Sequence, residues 1–76
     1  MAKKSQARIS LYKKIWCKIR YYQQLYDISD KDLSNYLCVS ERTLKEYDKN
    51  AMNITLGKLD NFLYINNLTL IELLNI

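Results

Sequence analysis

The sequence predicts one small all-α domain of five helices, and three observations carry that prediction. There is one glycine and no proline in 76 residues, and 49 % are hydrophobic, which suits helices and starves an all-β fold of turn residues. Apolar side chains recur at steps of three and four along most of the chain. Ser29, Ser40, Thr55 and Thr69 each stand just before such a stretch, where a helix needs a side-chain cap. A chain of this length buries only about 60 % of its unfolded surface on folding, so its core is thin and burial against a partner would help.

Residues 1–8 read as a flexible basic arm, followed by one domain over 9–76. The first helix is expected from Ile9 to Tyr26. Ile9, Tyr12, Trp16, Ile19, Gln23 and Tyr26 form one stripe, with Leu11, Ile15, Tyr22 and Leu25 beside it. One small domain can hardly bury both along the whole helix. Either the N-terminal half packs over its own domain, or Leu11, Ile15 and Trp16 meet a second subunit.

Ser29 caps a second helix, Asp30 to Leu37, with Leu33 and Leu37 at i, i+4. Cys38-Val39-Ser40 breaks the period, and Ser40 caps a third helix from Glu41 to about Lys49. Leu44 and Tyr47 share one face of it, while Arg42, Lys45, Glu46 and Lys49 lie elsewhere. Small Ser34 lets the two helices approach, and Val39 plugs the angle between them. Two short helices with so tight a link over residues 29–49 make a helix-turn-helix, whose second member can enter a DNA major groove.

Asn50 to Ile54 is a polar-leaning loop. Thr55 caps a fourth helix with apolar positions Leu56, Leu59, Phe62, Leu63 and Ile65, and Gly57 weakens its first turn by about 0.5–1 kcal/mol relative to Ala. Asn66-Asn67 ends it, since Asn tolerates the left-handed conformation. Thr69 and Glu72 form a capping box for a fifth helix, Leu70 to Asn75, which carries more apolar side chains than it can bury alone.

Charge is unevenly spread around the net value of +4. Residues 1–20 hold seven bases (Lys3, Lys4, Arg8, Lys13, Lys14, Lys18, Arg20) and no acid, while the rest hold five bases and eight acids. A single-sign segment of this kind is a handle for a polyanion, or else a solvated tail with a snorkelling helix face. Enzymatic parts are missing. There is no His, no glycine-rich phosphate loop and no Cys flanked by a base. Cys17 and Cys38 lack metal-ligand spacing, and Asp30-Lys31-Asp32 is too short for a metal cage. No enzyme activity, cofactor, metal or small-molecule ligand is expected. No apolar run approaches the ~20 residues of a membrane span, and Met1 to Ser10 has no signal-peptide core, so a cytoplasmic protein is expected. Internal repeats are not apparent.

The ordered set Ile28-Ser29, Asp32-Leu33-Ser34, Leu37, Val39-Ser40, Thr43-Leu44 and Asp48 resembles the phage-repressor and Cro family, the XRE-type regulators, over about Ile19 to Leu74. The resemblance implies a compact five-helix, lambda-repressor-like domain with an extended first helix, binding double-stranded DNA as a homodimer to regulate transcription. It places Glu41, Arg42, Lys45 and Glu46 at groove-facing positions, with Arg42 suited to a guanine's O6 and N7. Ser40, Thr43, Lys49 and Asn53 would meet phosphates around the motif, and Lys3 and Lys4 would do so from the arm. The chain departs from the family at four places. Asp30 stands where a neutral residue often meets a phosphate and would repel one. Cys38 and Asn50 replace glycines. Gln23 lies where an Arg commonly pairs with the acid at Asp48, which would leave a hydrogen bond at best. The near-balance of Arg42, Lys45 and Lys49 against Glu41, Glu46 and Asp48 keeps a second reading open, a protein-binding module on the same fold that inhibits another protein.

Overall fold

The structure, a computed structural model, describes residues 8–76. Lys3, Lys4 and most of the basic arm lie outside the described residues. Five helices and no strand are found among those described: α1 (Leu11–Leu25), α2 (Asp30–Tyr36), α3 (Glu41–Lys49), α4 (Leu56–Ile65) and α5 (Leu70–Leu74). None is long and apolar enough to cross a membrane.

One local device starts four of the five helices. Ser29, Ser40, Thr55 and Thr69 sit in extended conformation, and each side-chain oxygen accepts from the backbone N–H three residues on. An aliphatic residue precedes each cap: Ile28, Val39, Ile54 and Leu68, all packed against the core. Five positions after each of these stands a leucine, Leu33, Leu44, Leu59 and Leu73, every one buried in that core. This is a hydrophobic-staple pattern, in which an apolar residue before the cap and one in the following turn fix the angle at which the chain enters the helix. At the fifth helix the reciprocal bond is present too, with Glu72 Oε1 accepting from Thr69 N at 2.8 Å.

Three helix endings are as regular. Asp27, Cys38 and Asn67 take φ values of 53°, 57° and 54°, the left-handed region usually given to glycine. At each, the next residue's N–H reaches back to close the helix: Ile28 N to Gln23 O at 3.0 Å, Val39 N to Ser34 O at 3.0 Å, and Leu68 N to Leu63 O at 2.8 Å. These are Schellman endings, and the residue that closes each is the same aliphatic residue that begins the next staple. Ending and beginning are thus fused into three-residue links, Asp27-Ile28-Ser29, Cys38-Val39-Ser40 and Asn67-Leu68-Thr69. Cys38 thus adopts a backbone that a glycine in its place would take freely.

The core gathers Ile15, Trp16, Ile19 and Tyr22 of α1 with Leu33, Leu37, Leu44, Tyr47, Ala51, Leu59, Phe62, Leu63 and Leu73. Trp16 meets Tyr47 edge-on with ring centroids 5.1 Å apart, and Tyr22 meets Phe62 at 5.7 Å, so aromatic contacts bind α1 to α3 and α4. Ser34 is buried as expected, its hydroxyl donating to Lys31 O.

Several expectations need correction. The first helix begins at Leu11, because Ser10 is extended and makes no side-chain cap; Ile9 is exposed outside it. Ile15 and Trp16 are buried within the domain, so they cannot serve a second subunit, whereas Leu11 stays exposed. Leu56 and Ile65 lie off the buried face of α4, at 83 % and 47 % exposure. The last helix closes at Leu74, with Asn75 as its C-cap.

Two substitutions test the local account. A Cβ at Gly57 would meet only Thr55 Oγ1, at 3.9 Å, and the residue has no positive φ. Gly57→Ala is therefore expected to raise stability by about 0.5 kcal/mol, or about 2–4 °C in Tm, by restricting the unfolded chain. Cys38→Gly relieves a left-handed Cβ and is expected to gain about 0.5–1 kcal/mol. Thermal and urea melts of the two variants against the wild type measure both.

Candidate nucleic-acid interface

The outward face of α3 is built by what the helix hides. Leu44 and Tyr47 hold its inner face in the core, which turns Arg42, Lys45, Glu46 and Lys49 to solvent. Side-chain exposure is 88 % for Arg42, 67 % for Lys45 and 64 % for Glu46. Arg42 Nε lies 3.8 Å from Glu46 Oε2, a loose i, i+4 pair that leaves the guanidinium free to turn to another partner. Glu41 is exposed at the first turn. Ser40 Oγ accepts from Thr43 N at 3.2 Å and lies 3.0 Å from the Thr43 hydroxyl, so these two polar side chains stand together at the N-terminal rim of α3. Asn53 is exposed in the loop beyond α3, where Asn50 Oδ1 accepts from Met52 N.

What fixes α3 is a polar clasp on α1. Arg20 Nε and Nη2 donate to the two oxygens of Asp48, each at 2.9 Å, a bidentate fork. Trp16 Nε1 donates to Asp48 Oδ1 at 2.8 Å, and the Arg20 guanidinium lies 5.3 Å from the Trp16 ring centre. Through Nη1, Arg20 also donates to Asp30 Oδ1 at 2.9 Å and to Gln23 Oε1 at 2.7 Å. Gln23 Nε2 donates to Asp30 Oδ1 at 2.8 Å, and Lys45 Nζ sits 3.3 Å from Asp30 Oδ2. One guanidinium thus ties the first residue of α2 and the last turn of α3 to α1.

Electrostatics follow the contacts. Gln23's hydrogen bond and then Arg20's hold the Asp30 carboxyl at about 2, against an opposing effect of burial. Arg20's hydrogen bond, with help from Trp16, lowers that of Asp48. Burial works against the charge on Arg20, but the bonds to Asp48 and Asp30 outweigh it and raise its pKa.

The clasp corrects three sequence expectations. Gln23 bonds Asp30 rather than Asp48, and the ion pair expected to be missing is present because Arg20, one turn earlier, reaches Asp48. Asp30 is not a bare charge awaiting a phosphate: Arg20, Gln23 and Lys45 all face it. Among the N-terminal bases, Arg20 is spent inside the fold, and Lys18 Nζ is bonded to the Ile76 main-chain oxygen at 2.6 Å. The spacing Trp16, Arg20, Gln23 at i, i+4 and i+7 on one helix side was the available signal for the clasp.

One further basic residue lies near α3. Lys13 lines, with Lys49, Asn50, Trp16 and Tyr47, a cleft of about 240 Å³ between the start of α1 and the end of α3. Among the described residues, no group of acidic or Cys side chains could hold a metal ion, and both cysteines are free and exposed. No protein-family model, curated protein or solved structure matches the chain.

A carboxylate held below its unfolded value stabilises a fold above about pH 4 and loses that contribution as pH falls towards 2. Denaturant titrations of the wild type from pH 7 to 2 are expected to show stability falling through that window. Arg20→Met should cost about 1–3 kcal/mol at pH 7, and its acid-dependent loss should be smaller because both carboxyls return towards ordinary values.

Proposed function

We propose that the chain is a transcriptional regulator of the lambda-repressor-like type, binding double-stranded DNA through a helix-turn-helix made of α2, its Cys38-Val39-Ser40 link and α3. The observation that carries this reading is the outward presentation of α3, with Arg42 the most accessible of its charged pairs, on a helix clamped to the rest of the domain. A rigid helix offering polar side chains can fit a major groove and read base edges, whereas a mobile one would lose affinity to the entropy of ordering it. Arg42 would read a guanine by its O6 and N7, flanked by Glu41 and Glu46. Ser40, Thr43, Lys49 and Asn53 would meet phosphates, joined by Lys13 across its cleft and by Lys3 and Lys4. Regulation would be by occupancy, the bound protein blocking or recruiting polymerase. A homodimer on a two-fold site completes the reading, supported by aliphatic surface that one copy leaves open, Leu56 and Ile71 above all.

The balance of charge on α3 favours a second reading, a protein-binding module that masks another protein. Two facts weaken it: Asp48 is paired with Arg20 and Asp30 is answered by three partners, although Glu41 and Glu46 stay exposed.

Affinity for the duplex of its own promoter and for random duplex, measured across a salt series, tests the proposal. Arg42→Ala is expected to weaken promoter binding by about 1–3 kcal/mol, erase sequence preference and leave the melting temperature unchanged. Absence of binding to either duplex at low salt would move the assignment to the protein partner.

A further inference from the structure

The three cations of α3 are not held alike. Arg42 has a loose partner on its own helix, and Lys49 has no carboxylate within 4.0 Å among the described residues. Lys45 alone is tied to another element, through Asp30 at the start of α2. We infer that Asp30 limits the affinity of α3 for a duplex by holding Lys45 in an internal ion pair, which the DNA must break to gain that lysine's charge. This inference rests on the nucleic-acid reading above.

The carboxylate divides its work between its two oxygens. Oδ1 belongs to the clasp and accepts from Arg20 Nη1 and Gln23 Nε2. Oδ2 faces Lys45 Nζ, its one contact among the described residues. The fold therefore uses one oxygen and Lys45 the other. The group stays ionised at any working pH, its pKa being about 2, so the restraint is constant rather than switched. Lys45 remains 67 % exposed, within reach of an approaching phosphate, yet its charge is already answered. A phosphate entering there meets a carboxylate as well as an ammonium, and gains less than it would from a lone lysine.

Asparagine at position 30 separates the two roles. Its Oδ1 keeps both clasp bonds, while its Nδ2, a donor, turns Lys45 away. Wild type, Asp30→Asn, Lys45→Met and the double variant are compared for affinity to promoter and random duplex over a salt series, with thermal melts to check folding. Asp30→Asn is expected to tighten both duplexes about three- to tenfold near ~0.1 M salt and to steepen the log K against log salt slope by about 0.9. In the Lys45→Met background the same change should shift affinity less than about twofold. An equal gain in both backgrounds, or no gain, overturns the inference; equal gains would mean that Asp30 repels phosphates directly. Lys45→Met alone provides a check that does not need Asp30→Asn to fold. It should weaken binding clearly less than Lys49→Met, and an equal loss overturns the inference. If no variant binds either duplex at low salt, the nucleic-acid reading and this one fall together. Binding without coupling between Asp30 and Lys45 removes only this one.

Discussion

The fork between Arg20 and Asp48 is the constraint on which the presentation of α3 depends. Apolar burial holds the helix against the core, but burial is not directional, and Leu44 and Tyr47 alone would tolerate some rotation or sliding. Two parallel N–H···O bonds of 2.9 Å from one planar group, with a third bond from Trp16 to the same carboxylate, fix orientation as well as distance. The pair is partly open to solvent, with side-chain exposures of 23 % for Arg20 and 41 % for Asp48, so its net contribution to stability is small beside that of the core. Its larger effect is geometric. The same guanidinium fixes Asp30, so α2 and α3 are set against one common reference on α1, and the angle between them follows.

The three-residue links work towards the same end. A left-handed residue, an aliphatic residue and a hydroxyl cap leave no slack between one helix and the next, because the aliphatic residue both closes the first and anchors the second. Using Asp27, Cys38 and Asn67 in place of glycine costs backbone strain at each ending. A non-glycine residue also has fewer unfolded conformations to lose, which offsets part of that cost. Stiff links and the clasp reinforce each other: the link limits the directions α3 can take, and Arg20 selects one.

Much of this was legible in the sequence. Caps at Ser29, Ser40, Thr55 and Thr69 are local chemistry, decided by a hydroxyl and the N–H three residues on, so all four are readable without tertiary knowledge. The core leucines and Tyr47 follow from helical period. The recurring order of aliphatic residue, hydroxyl residue and leucine at Ile28, Val39, Ile54 and Leu68 was equally present in the chain, but it is spread over six positions with unlike residues between and does not register as a repeat. Arg20 was harder to read. Several bases lie on α1, and the choice of the one that meets Asp48 depends on the packing of α3 across it, a contact 28 residues away in sequence. Whether Leu11, Ile15 and Trp16 turn inward is also a tertiary question, since two apolar stripes compete for one core and only packing decides between them.

The division between the two sides of α3 gives the functional reading its physical shape. Leu44, Tyr47 and Asp48 hold the helix in place, with Lys45 tied to Asp30, while Arg42, Glu46 and Lys49 contribute little to the fold beyond a loose pair at 3.8 Å. A surface side chain with so small a structural role is free to be chosen for what it meets outside. Of the acids that appear to neutralise the helix, Asp48 faces Arg20, but the same guanidinium also answers Asp30, which faces Lys45, so Arg42 and Lys49 are left against Glu41 and Glu46. The formal balance of α3 therefore persists when its ion pairs are counted. Asp30 contributes to that balance by standing beside Lys45, so the charge a partner meets is set by a residue of α2 and not by the outward helix alone.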